Sequence, residues 1–140
     1  QIIFIDHQPQ MAFGVQSIDR QVLKNNTVAL AKAAKVFNIP TIITTVETES
    51  FSGNTYPELL DVFPGQDILE RTSMNSWEDD AFVAAVKATG RKTLIIAGTI
   101  TSVCMAFPSI SAVADGYKVF AVIDASGTYS KMAQEMRLSR

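Results

Sequence analysis

Cys104 is the only thiol in the chain and His7 the only imidazole, so nucleophilic chemistry has few groups to draw on. Cys104 follows the apolar run Leu94-Ile95-Ile96-Ala97 and the loop Gly98-Thr99-Ile100-Thr101-Ser102, about one turn into the next expected helix. Unpaired backbone N–H groups and the helix dipole favour an anion at such a place. They would lower the thiol pKa, and they could receive the oxyanion formed when sulfur attacks a carbonyl. The competing reading of the same pattern is a buried cysteine serving as a small hydrophobe. Asp6 ends the run Ile2-Ile3-Phe4-Ile5. A buried carboxylate there would have a raised pKa suited to proton transfer, whereas an exposed one would be an ordinary turn or capping residue.

His7 invites a Cys–His pair. Successive strand residues point to opposite faces, however, so a site that takes Asp6 excludes His7 unless the strand has already ended. Arg71 stands in the polar stretch Leu69-Glu70-Arg71-Thr72-Ser73-Met74-Asn75-Ser76-Trp77. It is either a surface charge or a fixed cation that holds a carboxylate and a thiolate together, and the pattern alone does not choose. Glu47 and Glu49 read as solvated loop residues. A single histidine excludes a His-based metal cluster.

These residues must be positioned by the elements between them. Short strands are expected at Ile2–Ile5, Thr41–Thr45, Lys92–Ala97 and Tyr117–Ile123. Helices are expected at Asp19–Phe37, Glu78–Thr89, Ser102–Ala114 and from Lys131 to the end, with a helical turn near Tyr56–Val62. In the helix from Asp19, Leu23, Leu30, Ala31, Ala34 and Val36 are expected to face the core. His7–Val15 and Glu47–Arg71 read as irregular, and Pro108 should bend the helix that contains it. Strands apolar on both faces, alternating with helices, predict a three-layer αβα sandwich around a mostly parallel, Rossmann-like sheet. Sites in such sheets open at the carboxyl ends of the strands. Asp6, the Thr45–Glu49 loop, Gly98–Cys104 and Asp124–Ser126 all fall there.

Composition narrows the function classes. The 140 residues suffice for one domain and are 47% hydrophobic and 19% charged, which excludes disorder. Twelve Lys and Arg against fourteen Asp and Glu leave a formal charge of −2, with no basic surface for nucleic acid. The uncharged run Thr93–Ala114 is long enough to span a bilayer, but it divides into a strand and a helix. No membrane span is expected. A lone free thiol suits a reducing, cytoplasmic setting, and no signal peptide is visible.

Three segments together resemble a known family. Ile3-Phe4-Ile5-Asp6-His7-Gln8, Pro40-Thr41-Ile42-Ile43-Thr44-Thr45 and Ala97-Gly98-Thr99-Ile100-Thr101-Ser102-Val103-Cys104 look like the isochorismatase-like cysteine hydrolases, which include nicotinamidases and N-carbamoylsarcosine amidases. Arg71…Asn75-Ser76-Trp77, Ala106-Phe107-Pro108 and Asp124-Ala125-Ser126-Gly127-Thr128 are similar to the YcaC-like branch. The resemblance covers essentially the whole chain, and Gly-x-x-Thr-x-x-Cys with an upstream Asp is its most specific element.

The resemblance implies a catalytic set of Asp6, Arg71 and Cys104, with Arg71 where most of the family has Lys. It implies a cis peptide at Thr99–Ile100 and an oxyanion hole from the N–H groups of Ile100 and Cys104. Thr99, Asn75, Trp77 and Phe107 are the expected substrate-binding residues. The histidines of the nicotinamidase metal site are missing from Thr45-Val46-Glu47-Thr48-Glu49-Ser50, so no metal and no other cofactor is expected. A small-molecule substrate and a tetrameric or octameric homo-oligomer are implied as well. Relatives continue through further elements, so the chain is expected to be incomplete at its C-terminus.

The activity expected on this basis is hydrolysis of a small amide-like substrate through a Cys104 thioester. The alternatives are a binding or redox-sensing protein on the same fold, with a reactive Cys104, and a scaffold subunit whose cysteine is purely structural.

Overall fold

A computed structural model describes residues 1–139. Strand β1 (Ile2–Ile5) is central, with β2 (Thr41–Val46) on one side and β4 (Thr93–Gly98) on the other; β3 (Leu69–Arg71) and β5 (Lys118–Ala121) form the edges. Every pairing is parallel, and the order is β3-β2-β1-β4-β5. A parallel sheet needs cover on both faces, and the alternation of side chains along β1 supplies two cores. Ile3 and Ile5 pack with Ile42, Leu94 and Ile96 under Phe82 and Val86 of α4 (Asp80–Ala88) and Ala112 of α5 (Ala106–Ala114). Ile2 and Phe4 pack with Ile43 and Ala97 under Ala31 and Ala34 of α2 (Arg20–Val36) and Leu59 and Val62 of α3 (Pro57–Val62). The αβα sandwich expected from the sequence is the fold observed.

Helix α2 starts where Asp19 accepts hydrogen bonds from the N–H groups of Gln21 and Val22, satisfying two donors that a helix start leaves free. Its buried face is Leu23, Thr27, Ala31 and Ala34; Val36 is 74% exposed, so the predicted apolar stripe ends two residues early. Three further differences bear on the site. Residues 9–13, expected as loop, form the short helix α1 (Pro9–Phe13), with Pro9 pre-set for a first helical position. Leu69–Arg71, expected as irregular, is the edge strand β3 and hydrogen-bonds to Thr44–Val46.

The helix expected over Ser102–Ala114 is two pieces: a wide π-type turn at Thr101–Met105, then α5. Pro108 accounts for the break. It has no N–H to give the carbonyl of Cys104 four residues back, and its ring crowds that carbonyl. Helix α6 (Lys131–Leu138) begins at Ser130, which accepts from the N–H of Ala133. Among the described residues, no helix is long and apolar enough to cross a membrane.

Candidate active site

β1 ends in an abrupt turn. Asp6 still pairs through its N–H to the carbonyl of Thr44 (3.0 Å), but its own φ is +56°, a left-handed conformation that costs an L-residue roughly 1–2 kcal/mol. Strain of this kind persists where surrounding contacts over-determine it. Here the Gln8 side chain supplies part of that restraint. Its amide donates to the carbonyl of Val46 (2.9 Å) and accepts from the N–H of Val46 (3.0 Å), extending the β1–β2 ladder where the backbone has left it.

The Asp6 carboxylate is fully buried and is gripped by Arg71, which is 3% exposed. The guanidinium makes a two-pronged contact, Nη1 to Oδ1 at 2.6 Å and Nη2 to Oδ2 at 2.7 Å. A fork-to-fork pair of this geometry is among the strongest charge-assisted contacts available to side chains. Arg71 reaches Asp6 because β3 runs beside β2. Thr44 fastens that strand by donating its hydroxyl to the carbonyl of Leu69 (2.7 Å), and the same oxygen accepts from Arg71 Nη1 (3.3 Å). Arg71 is therefore a buried cation paired with Asp6 and not a surface charge.

Cys104 lies in the π-type turn and is 7% exposed. The Thr99–Ile100 peptide ahead of it is cis. Thr99 donates its N–H to the carbonyl of Ile5 (3.1 Å) and its hydroxyl to the carbonyl of Asp6, which pins the turn against the end of β1. Gly98 allows the approach: a Cβ there would stand 3.2 Å from the carbonyl oxygen of Ile5.

The electrostatics of the thiol correct one sequence expectation. Burial first, then the charge and hydrogen-bond acceptance of Asp6, push Cys104 up to about 12; the Ile100 N–H and the Arg71 charge act the other way without prevailing. The helix-start effect does not produce a resting thiolate, because a buried sulfur beside a carboxylate loses more solvation than the local dipoles return. The resting site is a neutral thiol next to a carboxylate. Its N–H groups also divide. That of Cys104 donates to the carbonyl of Ile100 (2.8 Å), whereas that of Ile100 acts on the sulfur.

The remaining predicted residues separate. Asn75 caps a short 3₁₀ turn (Ser76–Glu78), accepting from the N–H of Trp77 (3.1 Å), and contacts Ser111 (3.3 Å). Trp77 packs edge-on to Phe82 and Tyr117 and donates its indole N–H to Asp115 (2.8 Å). Asp115 follows the last residue of α5, about 14 Å along that helix from the end that adjoins Cys104. The indole N–H therefore fastens the far end of α5, while the ring packs against the core cluster that also contains Cys104. Phe107 is 38% exposed beneath the Arg137 guanidinium, 5.9 Å from its ring centre. Thr99 is buried, with its hydroxyl spent on Asp6.

His7 turns to the other face of the sheet. Its ring stacks edge-on with Phe4 and Tyr56, and Nε2–H donates to the carbonyl of Ala125 (3.0 Å). Sequence reasoning overlooked Gln8 and Thr44. No signal set Thr44 apart, since β2 also carries Thr41 and the equally buried Thr45.

The family profile described as the isochorismatase domain matches residues 1–140. The chain is 43% identical over 140 residues to the probable hydrolase YcaC of Escherichia coli (strain K12), covering 99% of this chain and 67% of that protein. The structure of YcaC from Pseudomonas aeruginosa, described with hexane-2,5-diol and covalent acrylamide, superposes with a TM-score of 0.96 at 42% identity, covering 99% of this chain and 69% of that one. The Escherichia coli YcaC structure, described as an octameric hydrolase of unknown specificity, gives a TM-score of 0.96 at 43% identity over the same shares.

Proposed function

This chain belongs to the isochorismatase family, and on that premise we propose that it is a cysteine hydrolase that opens a C–N bond of a small amide-like substrate through a thioester on Cys104. The observation that carries the reading is the buried Asp6–Arg71 fork beside a neutral, buried thiol. A carboxylate oriented next to a thiol can take its proton at the moment the sulfur attacks, so no resting thiolate is required.

In the proposed cycle, Asp6 accepts the Cys104 proton as the S–C bond forms. The oxyanion is received first by the Ile100 N–H; the Cys104 N–H joins when it is released from the carbonyl of Ile100. Asp6 then protonates the departing amine. Water attacks the thioester, gives its proton to Asp6, and that proton returns to sulfur as the acid leaves. Arg71 does not exchange a proton, because a guanidinium stays charged; its work is to hold and aim the Asp6 carboxyl group. No metal or cofactor enters this scheme.

A relative described with covalent acrylamide, an alkylating electrophile, supports a reactive nucleophile on this fold. An octameric relative supports a homo-oligomer. Redox sensing is the weaker reading, since a sensor thiol needs exposure and a lowered pKa, and Cys104 has neither.

The test is intact-protein mass spectrometry during turnover of a panel of small primary amides and carbamoyl compounds. The expected result is an acyl adduct on Cys104 with release of one amine per chain, lost in Cys104→Ala. Amine release that survives in Cys104→Ala would overturn the proposal.

A further inference from the structure

We propose that Ala125–Thr128 is a positioning brace that holds the nucleophile-bearing turn in register with Asp6. β5 ends at Ala121, yet the chain that follows keeps contact with the Gly98–Ser102 loop at successive points. The Ser126 hydroxyl accepts from the N–H of Gly98 (3.0 Å) and donates to the carbonyl of Val122 (2.7 Å). Gly127 forms a parallel bridge with Thr99, and its carbonyl accepts from the N–H of Thr101 (2.9 Å). The hydroxyls of Thr128 and Ser102 pair at 3.0 Å. Ser126, Thr128, Thr99, Thr101 and Ser102 are all buried, so these bonds form out of competition with water.

The brace is anchored on its other side. His7, directly after Asp6, donates Nε2–H to the carbonyl of Ala125, so one segment touches both the end of β1 and the loop before Cys104. The carbonyl of Thr128 accepts from the N–H groups of Gln16 and Ser17, and the Ser17 hydroxyl accepts from the N–H of Thr128 (2.9 Å). Gly127 is required for the fit. A Cβ there would lie 2.7 Å from Val15 Cγ1 and 3.2 Å from Ile18 Cγ2, too close for any side chain. Ser126, Thr128 and His7 are thus positioning residues. They act through the loop that presents the Ile100 N–H to the sulfur. The inference rests on Cys104 being the nucleophile.

Thr128→Val tests it, since valine keeps the volume and the backbone bonds and removes only the hydroxyl paired with Ser102. Two readouts on the full chain are compared with Thr128→Ser: amide hydrogen exchange at Thr101 and Cys104, and the rate of Cys104 alkylation by iodoacetamide between pH 7 and 9.5. The expected result is faster exchange at Thr101 and alkylation slowed by about three- to tenfold, the fold-change that one hydrogen bond is worth, with both restored by serine. Unchanged exchange and alkylation would overturn the brace. So would faster alkylation, which would make the segment a shield. If Thr128→Val fails to fold, Ser102→Ala removes the same pair from the other side and is judged by the same outcomes. Absence of labelling in the wild-type protein would sink the nucleophile reading instead, and exchange at Thr101 would then decide the brace by itself.

Discussion

Arg71 and Asp6 lie 65 residues apart in the chain and meet through two hydrogen bonds of 2.6 and 2.7 Å, both partners buried. Neither residue could be kept charged there alone, because an unpaired ion in the interior loses its hydration without return. Each is the condition for the other, and the thiol beside them takes its character from both.

Removing one partner therefore costs more than the pair contributes. Arg71→Met is expected to destabilise the fold by about 3–5 kcal/mol, because it strands the Asp6 carboxylate. Pairing Arg71→Met with Asp6→Asn should cost clearly less than the sum of the two single changes. Denaturant melts of the three variants check this, and strict additivity would contradict it.

Asp6→Asn should also separate chemistry from binding. The amide accepts no proton, so turnover should fall by about 10²- to 10⁴-fold, the usual contribution of a positioned base. The KM should move far less than kcat. Residual turnover within tenfold of wild type would assign the base elsewhere.

The thiol makes a pH prediction. With Cys104 raised to about 12, only a small fraction is ionised at neutral pH, and alkylation should keep rising through pH 9.5. A plateau below pH 8 would mean a resting thiolate. Linkage runs the same way. An acid whose folded pKa lies above its unfolded one holds its proton more tightly when folded, so its stabilising contribution is intact below about pH 8.5 and is lost as pH rises toward 12.

His7 makes the opposite prediction. Burial lowers it to about 4, against the ordinary 6.5, while its bond to Ala125 and the Asp6 charge pull upward. Below pH 6.5 the unfolded chain binds a proton that the folded one refuses. Stability is then present above 6.5 and lost as pH falls toward 4, by roughly 3 kcal/mol if the imidazole alone titrates. His7→Gln keeps a donor for Ala125 and removes that titration. Thermal midpoints between pH 7 and 4.5 should fall less steeply in the variant; parallel curves would exclude His7 as the cause.

Local pattern was enough for the frame. The apolar runs at Ile2–Ile5, Thr41–Thr45 and Lys92–Ala97, each separated by a helical stretch, determined a parallel sheet and hence which ends could carry a site. It marked Asp6 and Cys104 as candidates by their place at strand ends, while Arg71 joined them only through the family resemblance. It could not place Arg71, because β3 is three residues long and too short to announce itself by periodicity. Nor could it foresee that the 3₁₀ turn at Ser76–Glu78 brings the Trp77 indole N–H to Asp115 at the far end of α5.

It left the state of the thiol open between an anion at a helix start and a buried, neutral hydrophobe. Proximity to a helix start is a local property and is visible in the chain, whereas desolvation and the field of Asp6 depend on what packs around the sulfur from distant segments. Residue types and the order of elements are local information, so the sequence by itself determined them. The charge states, and the brace that ties residues 125–128 to the loop before Cys104, were decided by burial and by contacts between distant segments, which exist only once the chain has folded.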